Sequence, residues 1–188
     1  MNSSVLRKIV LIGASTGGPG QIQKIITSLP KLHTTSIIIA QHMVDGFMQS
    51  FSNRLQNKSL NKISIIANNQ SFENANIYVC EGETRLNQRV FSKKAACKDS
   101  YNPNINTLFN SFTPLCKDTQ ILCVILTGIG DDGVEACNNL SIAGAQCITE
   151  TKQSAIVDGM PNRARASVKD IEVHDMNKIV KIISEFCE

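Results

Sequence analysis

Apolar residues fall along the chain in two rhythms. Short continuous runs, "KIVLIGA" (8–14), "TTSIIIAQH" (34–42), "KISIIAN" (62–68), "QILCVILTG" (120–128) and "AQCITE" (145–150), read as strands buried on both faces. Between them the spacing becomes helical. In "GPGQIQKIITSLP", Ile22, Ile25, Ile26 and Leu29 share one face and Pro30 ends the helix. In "FMQSFSNRLQ" the face is Phe47, Met48, Phe51 and Leu55. Further helices are expected over "NINTLFNSFTPLC", broken near Pro114, and over "DGVEACNNLSIAG", stopped by Gly144. "MPNRARAS" opens a short helix at Pro161, "DIEVHD" is a last short strand, and "MNKIVKIISEFC" is a closing amphipathic helix. Residues 74–92 alternate more loosely and suggest a small hairpin or meander. Residues 93–104 read as a polar loop.

Strands alternating with helices at this spacing predict an α/β fold. Its doubly wound, mostly parallel sheet carries helices on both faces, with a small antiparallel hairpin beside it. The 188 residues suit one domain over 1–188. A net charge of +3 with scattered basic residues gives no case for nucleic acid. No stretch reaches membrane-spanning length and no secretory leader is visible, which points to the cytoplasm without membrane insertion. Seven cysteines, an odd number with no C-x-x-C pair, fit a reducing compartment and offer no zinc ribbon or thioredoxin-type motif. No metal or cofactor site is expected.

In an open parallel sheet the site lies at the carboxyl ends of the strands. There the sequence offers Ser15 and Thr16, then His42, then Asp131 and Asp132. If those strands are neighbours, a serine, a histidine and an aspartate converge, which is the set needed for nucleophilic acyl transfer. Gly13, Ser15 and Gly17 match the G-x-S-x-G of a nucleophile elbow. Taken alone, "GASTGG" reads first as a tight turn or a phosphate cradle at a helix N-terminus, although its glycines miss the Rossmann and P-loop spacings. The two aspartates also suit a helix start. His33 lies toward the opposite edge and His174 near the C-terminus, and both read as surface residues. The order Ser, His, Asp is not that of α/β-hydrolases.

Together "IGASTGGP", "QHM" with the following helix, "LTGIGDDG" and "SAIVDGMP" resemble the catalytic domain of the chemotaxis protein-glutamate methylesterase family (CheB), in the family's order from Ile12 to Pro161. The resemblance implies hydrolysis of glutamate γ-methyl esters on the methylated cytoplasmic helical bundle of chemoreceptors. Methanol is released, and glutamine deamidation is a related activity. By motif it assigns Ser15 as nucleophile, His42 as base and Asp132 as orienting acid, with backbone N–H groups near Thr16 for the oxyanion. "SAIVDGMP" would be a wall of a shallow cleft. The chain departs from the family pattern in several places. It starts at the first catalytic-domain strand, where family members usually carry an N-terminal receiver domain, so it is expected to be either a fragment or a protein that works without that domain, and it carries Ile129 in place of a methionine. It reads "VCEGETRL" for the usual "APGGxH" and "PNIN" (103–106) for "PSVD". A catalytically weak or inactive chemoreceptor-binding module of the same fold is the alternative these departures favour. A phosphate-binding protein is a third reading, disfavoured because His42 stands where a ribose-binding acid would be.

Overall fold

The computed structural model describes residues 7–44, 46–96 and 101–188. The main sheet contains β1 (Arg7–Ala14), β2 (Thr35–Gln41), β3 (Ile63–Ile65), β4 (Ile77–Val79), β7 (Thr119–Ile125), β8 (Gln146–Glu150) and β9 (Glu172–His174). Every pairing is parallel, in the order β3-β4-β2-β1-β7-β8-β9. A separate antiparallel hairpin joins β5 (Glu83–Asn87) to β6 (Val90–Lys94). The helices are α1 (Gly18–Ser28), α2 (Met48–Gln56), α3 (Ile105–Asn110), α4 (Val134–Ile142), α5 (Met160–Ser167) and α6 (Met176–Cys187).

The period-2 geometry of a strand divides the apolar runs between two cores. On β1, Ile9 and Leu11 face one side and Val10 and Ile12 the other. On β7, Ile121, Cys123 and Ile125 oppose Leu122 and Val124. The first core is covered by α3, α4 and α5, the second by α1, α2 and α6. Ile22, Ile25 and Ile26 of α1 are fully buried, as their spacing predicts. The doubly wound α/β architecture is therefore the one the sequence pattern implies.

Three local expectations change. Residues 74–92 are not one hairpin: Ile77, Tyr78 and Val79 are buried on both faces and enter the main sheet between β3 and β2. Only the remainder forms the hairpin, and its two-residue turn places Gln88 and Arg89 at φ 55° and 133°. Such turns usually carry Asn-Gly or Asp-Gly, so this one has no recognisable signal. Phe47 does not join the buried face of α2; it precedes the helix and is 62% exposed. The expected break near Pro114 falls earlier, where α3 ends at Asn110 and a 3₁₀ turn over Thr113–Lys117 follows. Residues 97–100 of the 93–104 loop lie outside the described residues.

Candidate active site

The sheet order makes β2, β1 and β7 contiguous, so the loops bearing His42, Ser15 and Asp132 share one end of the sheet. Ala14 and Gln41 are the last paired rung of β1 and β2, and Ser15 and His42 are the next residues on each strand. The ladders continue past that rung: the His42 N–H donates to Ala14 O at 2.9 Å and the Ser15 N–H to Thr127 O at 2.9 Å. Adjacent strands run about 4.8 Å apart, so the two side chains rise from neighbouring points.

Asp132 is 1% exposed, whereas Asp131 is exposed. The Asp132 carboxylate is held from several directions. Its Oδ2 accepts from Ile105 N–H at 2.8 Å and its Oδ1 from Asn106 N–H at 2.9 Å, both at the start of α3. Oδ2 also lies 2.7 Å from His42 Nε2. A carboxylate can only accept, so a neutral His42 ring carries its proton on Nε2 and leaves Nδ1 as a free acceptor. The other face of the imidazole is covered by Tyr101, stacked at 4.8 Å between ring centroids and 6° between planes.

The serine loop is built differently. Gly17 adopts φ 88°, a left-handed turn at the start of α1, and that helix start has no side-chain cap. A Cβ on Gly128 would meet Ser15 Cβ at 2.6 Å, so the glycine after Thr127 lets Ser15 lie against β7. Ser15 is half-buried and Thr16 exposed. Among the described residues the Ser15 hydroxyl and the Thr16 N–H have no hydrogen-bond partner.

Other side chains brace this geometry. Gln41 Nε2 donates to both Ser15 O and His42 O at 2.8 Å, tying the two loops together. The Thr127 hydroxyl donates to Thr16 O at 2.9 Å and accepts from Val157 N–H at 2.8 Å. Glu150, fully buried at the end of β8, accepts from Thr127 N–H, Gln21 Nε2 and the Ser154 hydroxyl. Burial holds its carboxyl above the ordinary glutamate range, against those hydrogen bonds. Arg165 clamps Asp158 through both carboxylate oxygens at 2.8 and 2.7 Å, fixing the 154–161 segment beside Gly128. Ile129, Ile156, Phe47 and Val44, on the loops at this end of the sheet, are each more than 60% exposed and form an apolar rim there. A cleft of about 570 Å³ opens next to His42, lined by Val44, Phe47, Phe51 and Arg54 among others.

The model of the CheB methylesterase family matches residues 10–183. The chain belongs to the CheB methylesterase family. It is 33% identical over 167 residues to a protein-glutamate methylesterase/protein-glutamine glutaminase of Carboxydothermus hydrogenoformans, covering 84% of this chain and 47% of that protein. The counterpart from Bacillus subtilis is 30% identical over 184 residues, covering 94% of this chain and 50% of its own length. The chain thus spans about half the length of the curated relatives it matches. The crystal structure of the Thermotoga maritima CheB methylesterase catalytic domain superposes with a TM-score of 0.86 at 28% identity, covering 96% of this chain and 99% of that one.

Membership in the CheB family accounts for the motifs, and the structure shows what the departures from its pattern do. In "PNIN", Asn104 caps α3 by accepting from Thr107 N–H at 2.7 Å, and Asn106 Oδ1 accepts from Ala136 N–H of α4 at 3.0 Å. In "VCEGETRL", Gly82 N–H donates to the Asn102 side chain at 3.0 Å, while the Met43 N–H donates to Asn102 O at 3.1 Å. The first altered segment thus fixes the start of α3 against α4, and the second holds Asn102, next to Tyr101. Sequence reasoning missed Gln41, Thr127, Glu150 and Tyr101. Gln41 and Thr127 stood inside quoted motifs, and their position at strand ends was the available signal. Tyr101 had none, because only the folded loop brings it over His42.

Among the described residues no helix is long and apolar enough to cross a membrane. His33 is exposed ahead of β2, and His174 pairs with Glu172 at 3.0 Å, away from the serine.

Proposed function

We propose that this chain is a hydrolase of glutamate γ-methyl esters on the cytoplasmic helical bundle of chemoreceptors, with Ser15 as nucleophile. The observation that carries the reading is the part-buried His42–Asp132 pair, one strand away from a serine whose hydroxyl has no partner among the described residues. Ser15 Oγ attacks the ester carbonyl while His42 Nδ1 takes its proton. Asp132, anchored by two backbone N–H groups, keeps the ring oriented and stabilises the imidazolium. The Thr16 N–H, at the uncapped start of α1, donates to the developing oxyanion. Methoxide takes the proton back from His42 and leaves as methanol. Water, deprotonated by the same imidazole, then cleaves the acyl-enzyme and restores Ser15 and the glutamate. No metal or cofactor takes part in these steps.

Amide hydrolysis follows the same path with ammonia leaving, and the double names of the relatives favour it as a second activity of the same site. The apolar rim suits a protein substrate presented on a helix surface. Gly82 of one altered segment holds Asn102 next to Tyr101, and the other orders the start of α3 that anchors Asp132, which favours an active site over a binding module without activity.

The test is methanol release from methylated chemoreceptor cytoplasmic fragments by the native chain and by Ser15→Ala. Release is expected to fall at least about a thousandfold in the variant. If neither protein releases methanol while both bind the fragments, the chain is a docking module.

A further inference from the structure

Three cysteines from three different elements meet in the first core. Cys123 on β7 is the register partner of Cys147 on β8, and Cys137 comes from α4, which covers that face of the sheet. Their sulfurs all lie within 4.8 Å of one another, and no residue of the three is more than 2% exposed. A fourth thiol, Cys116 of the 3₁₀ turn, packs against the same core and is half-buried.

We propose that Cys123, Cys137 and Cys147 form a three-coordinate site for one thiophilic d¹⁰ metal ion, Cu(I) being the best match, with Cys116 as the sulfur through which it enters. A buried cysteine by itself is only a small apolar residue. Packing does not call for three sulfurs converging on one point from three different elements, with a fourth on the solvent side. The donor set is sulfur alone, which selects soft ions over magnesium or calcium. Size also fits: metal–sulfur bonds of about 2.3 Å hold three sulfurs about 4 Å apart, so closure on an ion needs shifts of less than about 1 Å. Each thiol that becomes a thiolate gives its proton to solvent. With two thiolates and one thiol, Cu(I) leaves a single net negative charge in the core, and no oxidation or reduction is required. Bound there, the ion would cross-link β7, β8 and α4, two of which carry loops of the candidate site.

The experiment is an anaerobic titration of the full, reduced chain with Cu(I) against a competing chelator, followed by X-ray absorption on the loaded protein. One tightly held ion is expected, with a shell of three sulfurs at about 2.3 Å. Cys123→Ala and Cys147→Ala should each weaken binding by more than about a hundredfold, beyond the ten- to hundredfold that follows when only a ligand's hydrogen-bond partner is lost. Cys187→Ala, in the core on the other face of the sheet, should leave affinity unchanged. Cys116→Ser should slow loading without changing the final affinity. Absence of a tight ion, a shell dominated by nitrogen or oxygen, or an equal loss in Cys187→Ala would overturn the site. Circular dichroism checks the variants' folding, and if the core substitutions unfold the chain, the sulfur count on the native protein still decides.

Discussion

Two histidine–carboxylate pairs stand on the parallel sheet of this protein. His42 and Asp132 follow β2 and β7, 2.7 Å apart, with side chains 12% and 1% exposed. Glu172 opens β9 and His174 ends it, 3.0 Å apart, with side chains 47% and 25% exposed. As contacts they are nearly the same. What surrounds them differs. Asp132 is fixed by backbone N–H groups of α3, His42 is covered by an aromatic ring, and a serine with an unpaired hydroxyl rises from the next strand. Around the other pair the main further contact is Gln146, which donates to Glu172 at 2.8 Å on the exposed edge of the sheet. A histidine–carboxylate contact is therefore no mark of chemistry in itself. The mark is a carboxylate whose remaining acceptors are taken by backbone, beside a nucleophile left unpaired.

The comparison breaks most sharply by exchanging one histidine at a time. His42→Gln should lower methanol release by roughly four orders of magnitude, because the proton acceptor and its charged form are both lost. His174→Gln should leave release within about twofold, as expected for an exposed pair away from reacting atoms. Steady-state assays of the two variants on the same methylated fragment decide it. Comparable losses would mean that the β9 pair contributes to the site after all.

Much of this contrast was legible in the chain itself, and the reasons are physical. Ser15, His42 and Asp132 could be found because a buried parallel strand announces its own end, and ligands gather where such strands end. Asp132 rather than Asp131 came from the family resemblance. In the fold Asp132 turns inward to meet the N–H groups of α3, while Asp131 is exposed. The double winding followed from strand–helix alternation. The short β4 did not, because three residues carry too little pattern to separate a sheet strand from a hairpin arm. The turn at Gln88 and Arg89 hid for a related reason: residues without turn preference adopt positive φ there under tertiary constraint. Tyr101 and the three core cysteines share a deeper obscurity. Each acquires its meaning from residues that are near only after folding, and no spacing along the chain records that.

The ring over His42 offers a milder way to sharpen the comparison, because His174 has no such cover among the described residues. A stacked aromatic pair is worth about 0.5–1.5 kcal/mol beyond burial, and here it restricts the imidazole to the plane in which Nε2 faces Asp132. Tyr101→Ala should therefore reduce kcat roughly three- to tenfold with KM little changed, whereas Tyr101→Phe, which keeps the stack, should stay within about twofold. A rise in KM with constant kcat would instead make Tyr101 a substrate contact. An equal loss in the phenylalanine variant would assign the effect to the hydroxyl.

The smallest effect belongs to the exposed pair, and its sign can be worked out. The hydrogen bond from His174, with that from Gln146, holds the Glu172 carboxyl below its ordinary value of 4.5. A carboxyl lowered by folding adds stability above its unfolded value and loses it as the pH falls through the folded one. Glu172→Gln should therefore cost a little stability at neutral pH, within the ~0.2–1 kcal/mol usual for exposed pairs. The gap between the two proteins should close as the pH drops below about 4.5, because protonation then removes the same charge from the native chain. Urea unfolding of both proteins at a series of pH values measures this directly. A gap that persisted unchanged in acid would show that Glu172 acts through packing rather than charge, and would remove the last similarity between the β9 pair and the one at the serine.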